Sequence, residues 1–208
     1  MNNQAQLGLI AVVLLISFLL IGAVSAEVLL TDQTDISEED LNKITNEIVD
    51  ELCSYLQIKQ IIGKYQMIQS EQKIQNIAVF IKPLVTQDID VSSITIMLSN
   101  GEQLHLLFYN GQAAFIGSNS LFEHPLWDTM PNGSFSLLST IDDDNSIIQS
   151  HLLNKNTDMA FILVKLPDKM AIQYGVEIEM TISPSPGLSR TVTLEPPMPM
   201  KSVVTLYE

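Results

Sequence analysis

Positive charge is scarce in this chain. Ten Lys and Arg stand against 24 Asp and Glu, for a formal net charge of -14, and Arg190 is the only arginine. A nucleic-acid surface needs clustered cations to replace the counterions on phosphates, so no nucleic-acid partner is expected. Cysteine is nearly missing as well. Cys53 stands alone, which excludes an intramolecular disulfide and any metal site built on paired thiolates. Its helix-spaced apolar neighbours mark it as a small buried hydrophobe. His105, His124 and His151 lack ligand spacing. No Ser/His/Asp order, Gly-rich phosphate loop or paired-carboxylate setting stands out, so no enzymatic activity and no required cofactor are expected.

The opening segment lacks charge altogether. No ionisable side chain precedes Glu27, and Leu7 to Ala26 form an unbroken apolar run, LGLIAVVLLISFLLIGAVSA. As a helix rising about 1.5 Å per residue it reaches roughly 30 Å, the thickness of a bilayer's hydrocarbon core. Leu7, Leu9, Ile10, Val13, Leu14, Ile16, Phe18, Leu20 and Ile21 leave no polar face, so lipid or protein must surround it on every side. Three explanations compete: a removed signal, a membrane anchor, or a helix that packs into a polymer. Val24-Ser25-Ala26 resembles a cleavage site, but Met1 to Gln6 carries none of the Lys or Arg that a secretory signal wants. Gly8, Ala11, Gly22 and Ala23 allow close helix–helix approach, which favours packing against other helices.

An acidic segment follows. Residues 27–54 hold nine carboxylates against Lys43, while Leu41, Ile44, Ile48, Leu52 and Tyr55 recur at three- and four-residue spacing, an amphipathic helix. Ser37 with Asp40 resembles an N-terminal cap. The expectation is one N-terminal helical region over residues 1–56, with a weakened joint near residues 31–36.

From residue 57 the pattern becomes that of strands. KIQNIAVFIKP alternates in part and stops at Pro83, and SSITIMLSNGEQLHLLFYN reads as a hairpin around Asn100-Gly101. Further strands are expected at Ser134–Thr140, Met159–Leu166, Ile172–Ile182, Leu188–Leu194 and Ser202–Tyr207. Seven to nine short strands without helical periodicity between them indicate a β-sandwich or barrel over residues 57–208. The fold class is thus α+β: a long hydrophobic N-terminal helix, then an all-β, Ig-like sandwich.

Several segments in order carry a family resemblance. QLGLIAVVLLISFLLIGAVSAEVL is similar to the hydrophobic start of archaeal flagellins (archaellins), the major subunits of the archaellum filament. LQIKQIIGKY and IQNIAVFIKPLVTQDIDVSSITIMLSNGEQ resemble their helix exit and first strands. SFSLLSTIDDDNS and NKNTDMAFILV resemble the mid-domain acidic turn and the strand after it. ISPSPGLSRTVTLEPP with VVTLY resembles the proline-rich C-terminal hairpin. Residues 110–132 are the least recognisable.

The resemblance implies a structural, rotating swimming or adhesion filament. In it the N-terminal helices bundle in the core and the β-sandwich forms the outside at the cell surface. The implied partners are further copies of the chain, a second archaellin, the archaellum motor and basal-body proteins, and the membrane before assembly. Archaellin precursors carry a short basic leader ending in Gly; none is seen here, so the numbering is expected to begin at the mature residue. The competing readings are an archaeal type IV pilin, a membrane-tethered surface domain that does not polymerise, and a minor basal-body component.

Three local features remain. Asp142-Asp143-Asp144-Asn145 is a dense set of oxygen ligands suited to Ca²⁺ through Asp142 and Asp144 where further oxygens converge, although consecutive acids in a turn are more often simply solvated. Asn132-Gly133-Ser134 is the single N-x-[ST] sequon, at a Pro-Asn-Gly turn, and marks Asn132 for an N-glycan. Trp127, in His124-Pro125-Leu126-Trp127, is read either as a core anchor or as a contact between subunits, with the contact favoured.

Overall fold

Two long strands set the frame of the molecule, a computed structural model that describes residues 56–185 and 187–208. The predicted N-terminal helix with Leu7, Leu9, Ile10, Val13, Leu14, Ile16, Phe18, Leu20 and Ile21, its joint near 31–36 and Cys53 lie outside the described residues. β1 (Leu56–Ile68) and β2 (Glu71–Pro83) pair antiparallel from Leu56 with Pro83 to Ile68 with Glu71. Gln69 and Ser70, with φ of 53° and 70°, supply the left-handed pair of residues that a two-residue hairpin turn requires. Inside β1, Gly63 is needed for space: a Cβ there would lie 2.7 Å from Ile74 Cγ2.

The strands that follow are β3 (Ile89–Asp90), β4 (Thr95–Ser99), β5 (Leu104–Phe115), β6 (Ser134–Ile141), β7 (Leu152–Leu153) and β8 (Met159–Lys165). The last four are β9 (Ile172–Gln173), β10 (Ile178–Ser183), β11 (Arg190–Leu194) and β12 (Val203–Tyr207). Two short helices, α1 (Leu126–Thr129) and α2 (Ser146–Ser150), interrupt them. The β4–β5 hairpin forms where Asn100-Gly101 predicts it. The side-chain oxygen of Asn100 accepts from the backbone N–H of Glu102 at 3.1 Å and of Gln103 at 2.7 Å. The stretch 172–182, expected as one strand, is instead β9 and β10, because a turn at Gln173–Val176 with Gly175 at φ 81° reverses the chain between them.

The strand order is β11-β10-β4-β5-β6-β8-β2-β1-β12, with β9 beside β2 and with β3 and β7 paired apart. β5 changes partner midway: Leu104–Leu107 pair antiparallel with β4, whereas Phe108–Phe115 run parallel to β6. The sheet therefore turns a corner at β5, and the two halves share one apolar core. Ile96, Leu98 and Met180 of one half cluster with Ile77, Phe135 and Ile162 of the other. This is the β-sandwich expected from the alternating pattern.

A parallel pair cannot be joined by a tight turn and needs a crossover of a dozen or more residues. Residues 116–133 make that crossover, and it packs on the outer face of the sheet. Leu126, Trp127 and Met130 form a second cluster there with Ala78, Leu138 and Leu163. β6 is covered on both faces as a result, and Ser134 through Ser139 are all buried. Trp127 is 4 % exposed, stacks on Phe122 at 5.8 Å between ring centroids, and donates from Nε1 to the carbonyl of Leu121 at 2.8 Å. It is a core anchor. The favoured reading as a subunit contact is corrected, because the crossover folds inward over Leu138 and Leu163.

Candidate functional site

The acidic turn becomes a closed network of hydrogen bonds. Asp142 Oδ1 accepts from the N–H of Ser146 at 3.1 Å and Oδ2 from the N–H of Ile147 at 3.1 Å, satisfying donors at the start of α2. Asp144 accepts from Asn154 Nδ2 at 3.0 Å and pairs with Lys155 Nζ at 2.9 Å. Ser146 Oγ donates to Asn154 Oδ1 at 3.1 Å, and Asp158 Oδ2 accepts from the N–H groups of Asn154 and Lys155. Asp158 is fully buried, and its Oδ1 has no partner.

Charge in the network is uneven. Burial pushes the Asp142 carboxyl above the usual carboxylate range, against the pull of the Ile147 N–H. The Lys155 ammonium, aided by Asn154, holds Asp144 well below that range, and Asp144 in turn raises Lys155. Asp142 and Asp144 lie in one network, and their oxygens serve a helix start and an ammonium. Among the described residues no group of three or more His, Cys, Asp or Glu is placed to hold a metal ion. Asn154, Lys155 and Asp158 were not read from the sequence as parts of this turn. Only the return of β7 toward β8 brings them under it.

Asn132 is exposed in its turn, with Gly133 at φ 82°. Its Nδ2 donates to Asp168 Oδ1 at 2.7 Å, while Ser134 is buried and donates from Oγ to the carbonyl of Pro131 at 2.7 Å. The histidines are placed for structure. His105 sits opposite Leu98 in the β4–β5 ladder, and His124 Nδ1 accepts from the N–H of Leu126 at 3.2 Å. His151 closes α2 in a left-handed conformation and meets the Tyr109 ring edge-on.

His124 and His151 also line one open cavity of about 510 Å³, beside Gln112 and Thr129. The cavity contains no carboxylate, cysteine or serine, and the Thr129 hydroxyl is held by Gln112 Oε1 at 2.7 Å.

These features define a structural β-sandwich domain whose polar side chains are spent on turns and caps. The chain belongs to the archaeal-type flagellin family, whose model matches residues 5–194. Flagellin B3 of Methanocaldococcus jannaschii is 24 % identical over 172 residues, covering 80 % of this chain and 78 % of that protein. The fold is similar to the crystal structure of archaeal flagellin FlaB1 from Methanocaldococcus jannaschii. The TM-score is 0.62 at 21 % identity, over 73 % of this chain and 96 % of that one. It is also similar to the archaeal flagellum of Methanospirillum hungatei strain JF1, with a TM-score of 0.50 at 16 % identity over 90 % and 92 % of the two chains. Family membership makes the chain a structural filament subunit of the archaellum, a cell-surface appendage, and not an enzyme.

Proposed function

We propose that the chain polymerises through residues 1–56, with Leu7, Leu14, Phe18 and their apolar neighbours packed in the filament core and residues 57–208 forming the outer domain. The observation that carries this reading is the run Leu7–Ala26, which has no polar face and is followed by a strongly acidic chain. A bundle of such helices removes every side of each from water, and identical copies in a helical array make contacts that never close. Before assembly the run is long enough to rest in the membrane. The filament's partners are further copies, a second archaellin, and the motor and basal-body proteins that turn it.

Appendages sheared from the source cells, identified by mass spectrometry and imaged by electron cryo-microscopy, test the proposal. Helical filaments roughly 10 nm across, with residues 1–30 in the core, are expected. Leu14→Asp places an unpaired charge in a dry bundle and should abolish filaments. Normal filaments from that variant would overturn the buried-core arrangement.

Two modifications belong to the same proposal. Asn132 is the N-glycan acceptor: its side chain is exposed, and the bond to Asp168 is a surface contact that a sugar displaces. A tryptic peptide with only unmodified Asn132 would end that assignment. Ca²⁺ displaces Lys155 from Asp144 and binds there through Asp144 and Asp142. A thermal midpoint that is unmoved by millimolar Ca²⁺ or by a chelator would remove the ion from the account.

A further inference from the structure

Between Tyr109 and Ala113 the parallel ladder of β5 and β6 is interrupted. Tyr109 pairs with Phe135 and Ala113 with Leu137, so Asn110, Gly111 and Gln112 stand opposite the single residue Ser136. Gly111 takes φ of 76°, which suits a residue without a Cβ. Bulges re-aim side chains, and this one carries Gln112 to the wall of the cavity of about 510 Å³ that His124 and His151 also line. His151 reaches the same wall from the end of α2 in a left-handed conformation, unfavourable for any residue with a Cβ.

Hydrogen bonds around the cavity fix which polar atoms stay free. The buried Ser136 hydroxyl donates to Asn110 Oδ1 at 2.6 Å, and the N–H of Gln112 donates to the same oxygen at 3.0 Å. Asn110 Nδ2 is therefore the end that donates to Gln112 Oε1, at 3.2 Å, and the Thr129 hydroxyl meets that oxygen at 2.7 Å. The free end of Gln112 is its amide nitrogen, with two hydrogens. His124 is 8 % exposed, and its Nδ1 accepts from the N–H of Leu126 at 3.2 Å. A ring nitrogen that accepts carries no proton, so the imidazole hydrogen is on Nε2. Among the described residues neither Gln112 Nε2 nor His124 Nε2 has a hydrogen-bond partner.

These two groups offer hydrogens and no lone pair. A cation fits them poorly, since a protonated Nε2 cannot ligate it and no carboxylate lines the cavity. Sugar hydroxyls donate as well as accept, and they need acceptors that neither group presents. A phosphate dianion calls for a cation, and the lining holds neither lysine nor arginine. A carboxylate only accepts, carries a single charge and can take a hydrogen on each oxygen. Leu126, Ala113 and Ile148 in the same wall suit an aliphatic chain. We propose that this cavity binds an aliphatic monocarboxylate, with Gln112 Nε2 and His124 Nε2 donating to its oxygens. The assignment is independent of how the chain polymerises.

The test photolabels the full chain with azipentanoate, a short aliphatic carboxylate bearing a diazirine. Mass spectrometry should place the label within residues 111–129 or 148–151, and excess butyrate should remove it while excess butanol does not. Butanol that competes as well as butyrate would reduce the cavity to an apolar slot and overturn the carboxylate assignment. Label spread over the surface, or label that butyrate fails to displace, would overturn the site. Gln112→Glu keeps an oxygen toward Asn110 and Thr129 and replaces the free amide nitrogen by a second oxygen that repels the ligand. His124→Asn keeps an acceptor for the Leu126 N–H and removes Nε2. Each should raise the probe concentration for half-maximal labelling about tenfold, as befits one lost hydrogen bond to a charged group. Trp127 emission should stay as in the unsubstituted chain, because the crossover remains folded. Half-maximal labelling that moves less than about twofold in both variants would overturn the roles of Gln112 and His124. Should either variant fail to fold, the butyrate competition on the unsubstituted chain decides by itself.

Discussion

The only arginine joins the two ends of the sheet. Arg190 on β11 donates from Nη2 to the phenolic oxygen of Tyr207 on β12 at 2.6 Å, and its guanidinium carbon lies 5.9 Å from the centre of that ring. β11 and β12 are the first and last strands of the order. The bond therefore ties the two layers together along their free edges, as the bend in β5 joins them along the other side.

Tyr207→Phe keeps the ring and removes the acceptor. The expected cost is about 1 kcal/mol of unfolding free energy, read from urea denaturation of the chain lacking residues 1–30. That truncated chain is itself expected to be a soluble monomer. An unchanged urea midpoint would mean that the closure does not depend on this hydrogen bond.

Trp127 is the only tryptophan, so its fluorescence reports on the crossover alone. Emission should be blue-shifted in the folded chain, as befits a ring that is 4 % exposed. Trp127→Ala empties the centre of the outer cluster and strands the Leu121 carbonyl, with an expected loss of about 3–5 kcal/mol. A loss below about 1 kcal/mol, within the range of ordinary surface substitutions, would refute the anchor role.

Gly63→Ala tests packing of the opposite kind. The added methyl meets Ile74 Cγ2 at 2.7 Å and Leu206 Cδ1 at 3.0 Å, and the first of these cannot swing away because it sits next to the Ile74 backbone. Overpacking of this sort costs about 1–3 kcal/mol. Calorimetry should show a lower melting temperature, and Gly63→Ala should cost less in a chain carrying Ile74→Ala, which removes Cγ2, than in the unsubstituted one.

Tyr109 predicts an alkaline limit. Burial pushes its hydroxyl up to about 12 from 10.0, with the charge of Asp90 adding to the shift, and the oxygen has no hydrogen-bond partner. A group whose pKa is raised on folding lends stability below its unfolded value, and that stability is lost as pH climbs through the folded one. Stability should thus fall between about pH 10 and 12. Tyr109→Phe should lessen that fall without abolishing it, because burial raises Tyr65 in the same direction. At neutral pH the variant should be unchanged or more stable by up to about 1 kcal/mol, since no hydrogen bond is lost. A marked destabilisation at pH 7 would contradict the absence of a partner for the hydroxyl.

Local signals carried much of this protein. Alternation of apolar and polar residues marked the strands, Asn100-Gly101 marked its hairpin, and Pro83 marked the end of β2. Each is a short-range effect of backbone sterics and side-chain spacing, legible without knowing what lies opposite. The scarcity of cations, the lone Cys53 and the faceless run Leu7–Ala26 likewise bounded the function before any fold was known. Tertiary structure decided the rest. Whether Trp127 faced inward depended on β5 and β6 being parallel, because only a parallel pair needs a crossover long enough to cover the sheet. Asp142 and Asp144 met Lys155 and Asp158 only because β7 and β8 bring residues 152–165 back beneath the turn. Leu104, Leu106 and Phe108 have the same alternation as a buried strand. They face solvent because the corner at β5 turns that face outward, and no periodicity within one segment records which side of a sheet the remainder of the chain will cover.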